Sequence, residues 1–157
     1  MERYEWSRLS PLQLGRYAEY LVKMEFTLYG FDVYTAEVDD KGIDFVVRKE
    51  HQNDKGEIEY RYYDVQVKSV RGLNYIFFLK SKFLLRDNLL AAVPLFREGE
   101  LPEIYLIPST AWNQPNGLFV GRNYEGLKSK PEWGLSLSQK NLSLLALYKF
   151  DQVIGQL

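Results

Sequence analysis

The sequence predicts an α/β fold, a mixed sheet with helices against it, on three observations. Residues 11–29 pattern as one capped, amphipathic helix. Apolar, β-branched and aromatic runs follow at 31–36, 43–48, 58–70 and 75–79, parted by polar turns that contain glycine. A further strand-like run at 103–107 and a partly helical pattern after 138 close the chain. With 157 residues and no convincing linker or internal repeat, residues 1–157 read as one domain, long enough for a substantial core.

Ser10-Pro11-Leu12-Gln13 opens the helix: Ser10 caps, Pro11 suits the first turn and Gln13 completes a capping box. Leu14, Ala18, Leu21 and Phe26 or Leu28 supply an apolar stripe, and Gly30 stops the helix after Tyr29. Gly15 and Glu19 share a face one turn apart, which leaves room beside the carboxylate for a backbone or a ligand. Phe31 to Ala36 reads as a short strand, residues 37–42 as an acidic turn ending in Gly42, and Ile43 to Arg48 as a second strand. Residues 49–57 look like an exposed hairpin loop holding the single histidine, His51. Ile58 to Val70 is a long aromatic strand broken by Arg71-Gly72, and Tyr75 to Leu79 is a fourth run. Leu89 to Phe96 fits a strand or a helix, with Pro94 arguing against a central helix. Glu103 to Ile107 is a strand ended by Pro108. Residues 113–134, punctuated by Pro115, Gly117, Gly121, Pro131 and Gly134, read mostly as loop, and a last helix begins at Ser138 or Asn141.

Composition narrows the function classes. Cysteine is absent, so disulfides and thiolate metal sites are excluded. No apolar run reaches the roughly 18 residues of a membrane span, and the first residues lack the basic-then-apolar pattern of a signal peptide. A soluble, cytoplasmic protein with no membrane partner is the expectation. A formal net charge of -1 argues against a strongly basic coat. The charge is nonetheless uneven: between 61 and 90, Arg61, Lys68, Arg71, Lys80, Lys82 and Arg86 face only Asp64 and Asp87. Arg71, Lys80, Lys82 and Arg86 are therefore candidate nucleic-acid-binding residues, although a solvated surface accounts for such a small cluster as well. Tyr60, Tyr62, Tyr63, Tyr75, Phe77 and Phe78 could stack on bases, but packing in a sheet-rich core explains most aromatics of this kind.

Four side chains carry the candidate chemistry. Asp44 sits in the otherwise apolar Gly42-Ile43-Asp44-Phe45-Val46-Val47, where an acid is unusual. Gln66 and Lys68 lie two apart in a strand, so they share one face while Val65 and Val67 share the other. A hairpin joining the two runs sets Asp44 beside them. A carboxylate, an amide oxygen and an ammonium on one sheet face suit metal-assisted phosphodiester hydrolysis. Mg²⁺ (or Mn²⁺) takes oxygen ligands and keeps several waters. Asp44 would anchor it, the Gln66 side chain and the Val67 carbonyl would add oxygens, and Glu19 would bind directly or through water. Lys68 would orient the attacking water or stabilise charge developing on the phosphate. Each residue also has a plainer reading. Asp44 could terminate a turn, Glu19 could pair with Arg16 or Lys23 on the surface, and Lys68 could be an edge-strand charge that blocks aggregation. Asp39 and Asp40 read as turn residues, with an auxiliary metal role as the alternative.

The order Glu19, Asp44, Gln66-Val67-Lys68 resembles the PD-(D/E)XK nuclease superfamily over roughly residues 10–110. The family pattern is an acid on a first helix, an Asp at a strand start and (Asp/Glu)-x-Lys on the next strand. The resemblance implies a restriction-endonuclease-like mixed β-sheet flanked by helices and a Mg²⁺-dependent endonuclease acting on DNA. It also implies a homo-oligomer, dimer or tetramer, because one such site cuts one strand. This chain departs from the pattern at Gln66, where most members carry Glu or Asp. Mrr-like restriction enzymes and one homing-endonuclease branch share Gln-x-Lys, which makes a homing- or restriction-type role the sharpest expectation. Replacing Glu by Gln removes a negative charge, and Glu19 is expected to compensate. Two rival readings stand beside this one. The chain could be a catalytically inactive nucleic-acid-binding module of the same fold, for which Gln66 is the main argument. It could also be an interaction protein without a nucleic-acid role, which the near-neutral charge favours.

Overall fold

The computed structural model describes residues 2–157. Helix α1 (Pro11–Leu28) begins with the expected capping box: Gln13 N donates to Ser10 Oγ at 3.2 Å and Ser10 N to Gln13 Oε1 at 2.9 Å. Its buried face is Leu14, Ala18, Val22 and Phe26, a strict i, i+4 row. Val22 therefore takes the place expected of Leu21, and Leu28 lies 77 % exposed at the helix end. Gly30, at φ 83°, turns the chain into the sheet.

Strands β1 (Asp32–Thr35), β2 (Phe45–Gln52) and β3 (Ile58–Val67) form an antiparallel meander. The second and third strands pair further than the sequence suggested, so the loop shrinks to a turn around Asn53, whose Oδ1 accepts from Lys55 N and Glu57 N at 3.0 Å each. Strand pairing, not burial, holds this projecting polar end. His51 accordingly lies in β2 opposite Glu59, 3.3 Å from its carboxylate, rather than in a loop.

β6 (Leu89–Phe96) runs parallel to β3 and is buried along its whole length. An all-apolar strand covered on both faces has no alternation to display, which explains why strand and helix looked alike in the sequence. β7 (Glu103–Pro108) pairs antiparallel with β6. β4 (Val70–Arg71) resumes the parallel register of β3 along β6 after an interruption at Lys68 and Ser69. Pro94 accounts for the position of that interruption. Lys68 N donates to Ala92 O at 2.9 Å, and in a parallel ladder the carbonyl of the same residue accepts from two positions further along the partner. That position is Pro94, which has no N–H to give.

A smaller antiparallel sheet of β5 (Tyr75–Leu79), β9 (Glu132–Ser136) and β8 (Phe119–Arg122), in that order, covers one face of the main sheet. Much of it falls in the stretch expected to be loop. Two of the glycines that looked like punctuation are seats for aromatic rings: a Cβ on Gly121 would meet the Trp133 ring at 3.0 Å, and one on Gly134 would run into the end of the Tyr75 ring and its hydroxyl. Between the sheets pack Phe78, Phe83, Leu89, Trp112, Phe119 and Leu135, with Trp112 Nε1 donating to Gly134 O at 2.8 Å. On the opposite face Phe45, Val65 and Leu90 pack against Val22 and Phe26 of α1 and against Phe150. The expected last helix is divided into α2 (Leu142–Leu145) and α3 (Phe150–Ile154), because Lys149 is extended and bridges to Tyr105. The molecule is thus a mixed α/β structure in three layers: helices, mixed sheet, small sheet. Among the described residues no helix is long and apolar enough to cross a membrane.

Candidate active site

The β2/β3 register brings Asp44 and Gln66 together where β2 leaves β3, Lys68 follows two residues on, and Glu19 on α1 is near enough for its charge to act on Asp44. The register pairs Phe45 with Val65, so Asp44, just before β2, comes alongside Gln66. Asp44 N donates to Val65 O at 2.9 Å, and its Oδ2 accepts from Val67 N at 2.6 Å. A carboxylate thus stands where a further residue of β2 would have offered a carbonyl. Gly42, at φ 76°, makes the preceding turn possible, and a Cβ there would meet Lys82 Cβ at 3.1 Å. Gln66 Oε1 is buried and, among the described residues, has no hydrogen-bond partner. Such an atom is costly unless something else satisfies it. Lys68 follows on the same face, its Nζ 5.4 Å from the centroid of the Phe77 ring.

Burial pushes the Asp44 carboxyl up to about 7; the Val67 N–H opposes the shift, and the charges of Glu19 and then Asp39 add to it. Both acids are therefore close enough for their fields to act on Asp44. Glu19 reaches the site from α1 while its Oε2 accepts from Arg16 Nη1 at 2.9 Å, and it is 17 % exposed. The surface pairing and the approach to Asp44 coexist. The space in front of Gly15 is open: beyond its own turn of helix, no described atom comes within 4 Å of a Cβ built there. Asp39 is the residue that sequence reasoning left among the turn residues. The signal that could have found it is its place in an acidic turn closed by a glycine, a few residues before an acid in an apolar run.

Among the described residues no three His, Asp or Glu side chains are grouped to hold a metal ion. A cation here would need the Gln66 amide oxygen as well as the carboxylates. Two observations fit such a guest: a carboxyl held far above its ordinary value by burial, with the charges of Glu19 and Asp39 adding to the shift, and an orphaned buried oxygen on the neighbouring strand position. An all-oxygen donor set of this kind suits Mg²⁺ or Mn²⁺. Val67 gives its N–H to Asp44.

The basic candidates divide by what they hold. The Arg71 guanidinium donates to Trp6 O at 2.9 Å and to Leu9 O, which fastens the N-terminal segment to the sheet. Arg86 pairs with Asp64 and donates to Leu84 O at 3.0 Å. Lys80 donates to Asn123 Oδ1 at 2.8 Å and lies 3.9 Å over the Trp133 ring. Lys82 is exposed and packs on the turn before Asp44, where it lines an open groove with Asp40, Lys41 and Arg86. The chain matches no protein-family model, no curated protein and no solved structure.

Proposed function

We propose that this chain is a metal-dependent phosphodiesterase acting on DNA, with a restriction-endonuclease-like fold. The observation that carries the proposal is the meeting of Asp44, with its raised carboxyl, and the unsatisfied Gln66 oxygen on a sheet face that continues to Lys68. The element order supports it: a helix bearing Glu19, an antiparallel meander bearing Asp44 and Gln66-Val67-Lys68, then a parallel neighbour to the third strand. When bound, Mg²⁺ or Mn²⁺ supplies Lewis acidity at the phosphate and lowers the pKa of a bound water. Asp44 and Gln66 would hold the ion, with Glu19 adding charge nearby. Lys68 would orient the attacking water and stabilise the charge that grows on the phosphate oxygens. The water oxygen bonds to phosphorus as the bond to the leaving sugar oxygen breaks, giving a phosphate monoester and a free hydroxyl. Assembly as a homo-oligomer belongs to the same proposal, since cutting both strands of a duplex calls for two sites.

The test is cleavage of labelled duplex, nicked, branched and single-stranded DNA with Mg²⁺ or Mn²⁺, comparing the wild type with Lys68→Ala and Asp44→Ala. Metal-dependent cleavage lost in both variants is the expected result. One specific observation favours a second reading: Gln66 stands beside Asp44 where an (Asp/Glu)-x-Lys strand would bring a second carboxylate. On that reading the protein binds DNA in a steeply salt-dependent way and cuts nothing.

A further inference from the structure

Along the outer face of the small sheet, cations and aromatic rings alternate, beginning at the candidate site. Lys68 Nζ lies 5.4 Å from the Phe77 centroid. Phe77 and Tyr75 are 6.4 Å apart and within 27° of coplanar. The Arg122 guanidinium is 4.4 Å over the Tyr75 ring, and its Nη1 is 3.5 Å from Tyr124 Oη. Tyr75 and Phe77 share this face because their neighbours Ile76 and Phe78 are taken by the core. Core packing does not account for Phe77, which faces outward and is 40 % exposed while Ile76 and Phe78 beside it are buried. The acid these strands carry, Glu132, is only 5 % exposed and accepts from the Tyr75 hydroxyl, so it presents little negative charge outward.

We infer that this face is a track for single-stranded nucleic acid that leads an unpaired strand to Lys68, an inference that rests on the nuclease reading for its direction but not for its binding. Unpaired bases have free π-faces to lay on Phe77 and Tyr75, whereas bases within a duplex stack on one another and offer only their edges. Arg122 and Lys68 stand at the two ends of the aromatic pair, where the phosphates that flank a stacked base need neutralising. A peptide partner without acidic side chains would use the rings but would leave two cations without counter-charges. A second copy of the chain would bring like charges together. The favoured substrates are accordingly those with an unpaired segment, such as overhangs, flaps or single strands.

The experiment is fluorescence anisotropy, in EDTA so that nothing is cut, with a labelled oligo(dT) and a blunt duplex of equal length. Wild type should bind oligo(dT) more tightly than duplex. Phe77→Leu keeps the apolar bulk and removes the ring; it should weaken oligo(dT) binding about tenfold and leave duplex binding alone. Arg122→Ala, at an exposed position, should weaken it about threefold and flatten its salt dependence. Matching thermal midpoints show that both variants fold. Equal or tighter binding to duplex, or oligo(dT) affinities within about twofold of wild type in both variants, would overturn the track. So would a concentration-dependent dimer that disappears in Arg122→Ala, which would assign the face to a second copy. Binding that follows Phe77 and Arg122 without any metal-dependent cleavage leaves the track standing and removes the nuclease. Cleavage indifferent to both residues does the reverse.

Discussion

Asp44→Asn should stabilise the metal-free protein at alkaline pH. The native carboxyl titrates at about 7 against 3.8 for the free group, so the folded chain keeps a proton that the unfolded chain has already released. Stability attributable to Asp44 is thus lost as pH rises from about 4 through about 7 and stays lost above that. At about 1.4 kcal/mol for each tenfold change in acidity the penalty is about 4 kcal/mol. The group is partly open to water, and screening brings the figure down to roughly 2 kcal/mol. Asparagine keeps an oxygen to accept from Val67 N and carries no charge. For a chain of this size the melting temperature at pH 8 should rise by about 4–8 °C, with no gain near pH 4. Differential scanning calorimetry of both proteins at the two pH values reads this directly. Millimolar Mg²⁺ should then raise the wild-type midpoint and leave the variant unmoved. A variant no more stable than wild type at pH 8, or equally stabilised at both pH values, would show that the buried charge is not what Asp44 costs the fold.

Glu19→Ala removes the larger of the two neighbouring charges acting on Asp44, and calorimetric titration should show Mg²⁺ binding weakened together with cleavage; unchanged affinity and rate would mean Glu19 does not compensate for Gln66. Gln66→Glu adds a buried acid beside Asp44, so the metal-free protein should lose roughly 2 kcal/mol at pH 8 while Mg²⁺ binds about tenfold more tightly or better, both measured by urea unfolding with and without the ion. Gly134→Ala forces a methyl against the outer-face Tyr75 ring, which is tied to Glu132, and should lower the thermal midpoint; an unchanged midpoint would contradict the close seating of that ring. Ser10→Ala breaks the capping box and should cost about 1 kcal/mol in denaturant unfolding.

Local chemistry was legible where a few adjacent residues decide the structure. The start of α1 follows from Ser10, Pro11 and Gln13, and the side-by-side placement of Asp44 and Gln66 follows from two apolar runs joined as a hairpin. Long-range pairing hid the rest. Residues 119–122 and 132–136 form strands because β5 and the core rings wait for them, and Gly121 and Gly134 read as breaks only until Trp133 and Tyr75 are placed over them. Lys149 ends a helix for the sake of a bridge to Tyr105, a partner far away in sequence. At the candidate site, sequence order singled out residues but not their commitments. Arg71 and Arg86 looked like free cations until Trp6, Leu9 and Asp64 were seen to hold them, and Asp39 looked like turn chemistry until its field was felt at Asp44.

The bond from Val67 N to the Asp44 carboxylate gives a backbone amide an uncommon duty. Other amides of the sheet lean on neutral carbonyls, whose strength as acceptors does not change with pH. Val67 leans on a group that titrates near neutrality, and an ionised acceptor holds a donor about twice as firmly as a neutral one. Solvent exchange at this one amide, followed by NMR and corrected for the intrinsic pH dependence, therefore reports the charge of the site from inside the backbone. It needs neither substrate nor label, and it would register the arrival of a cation as protection.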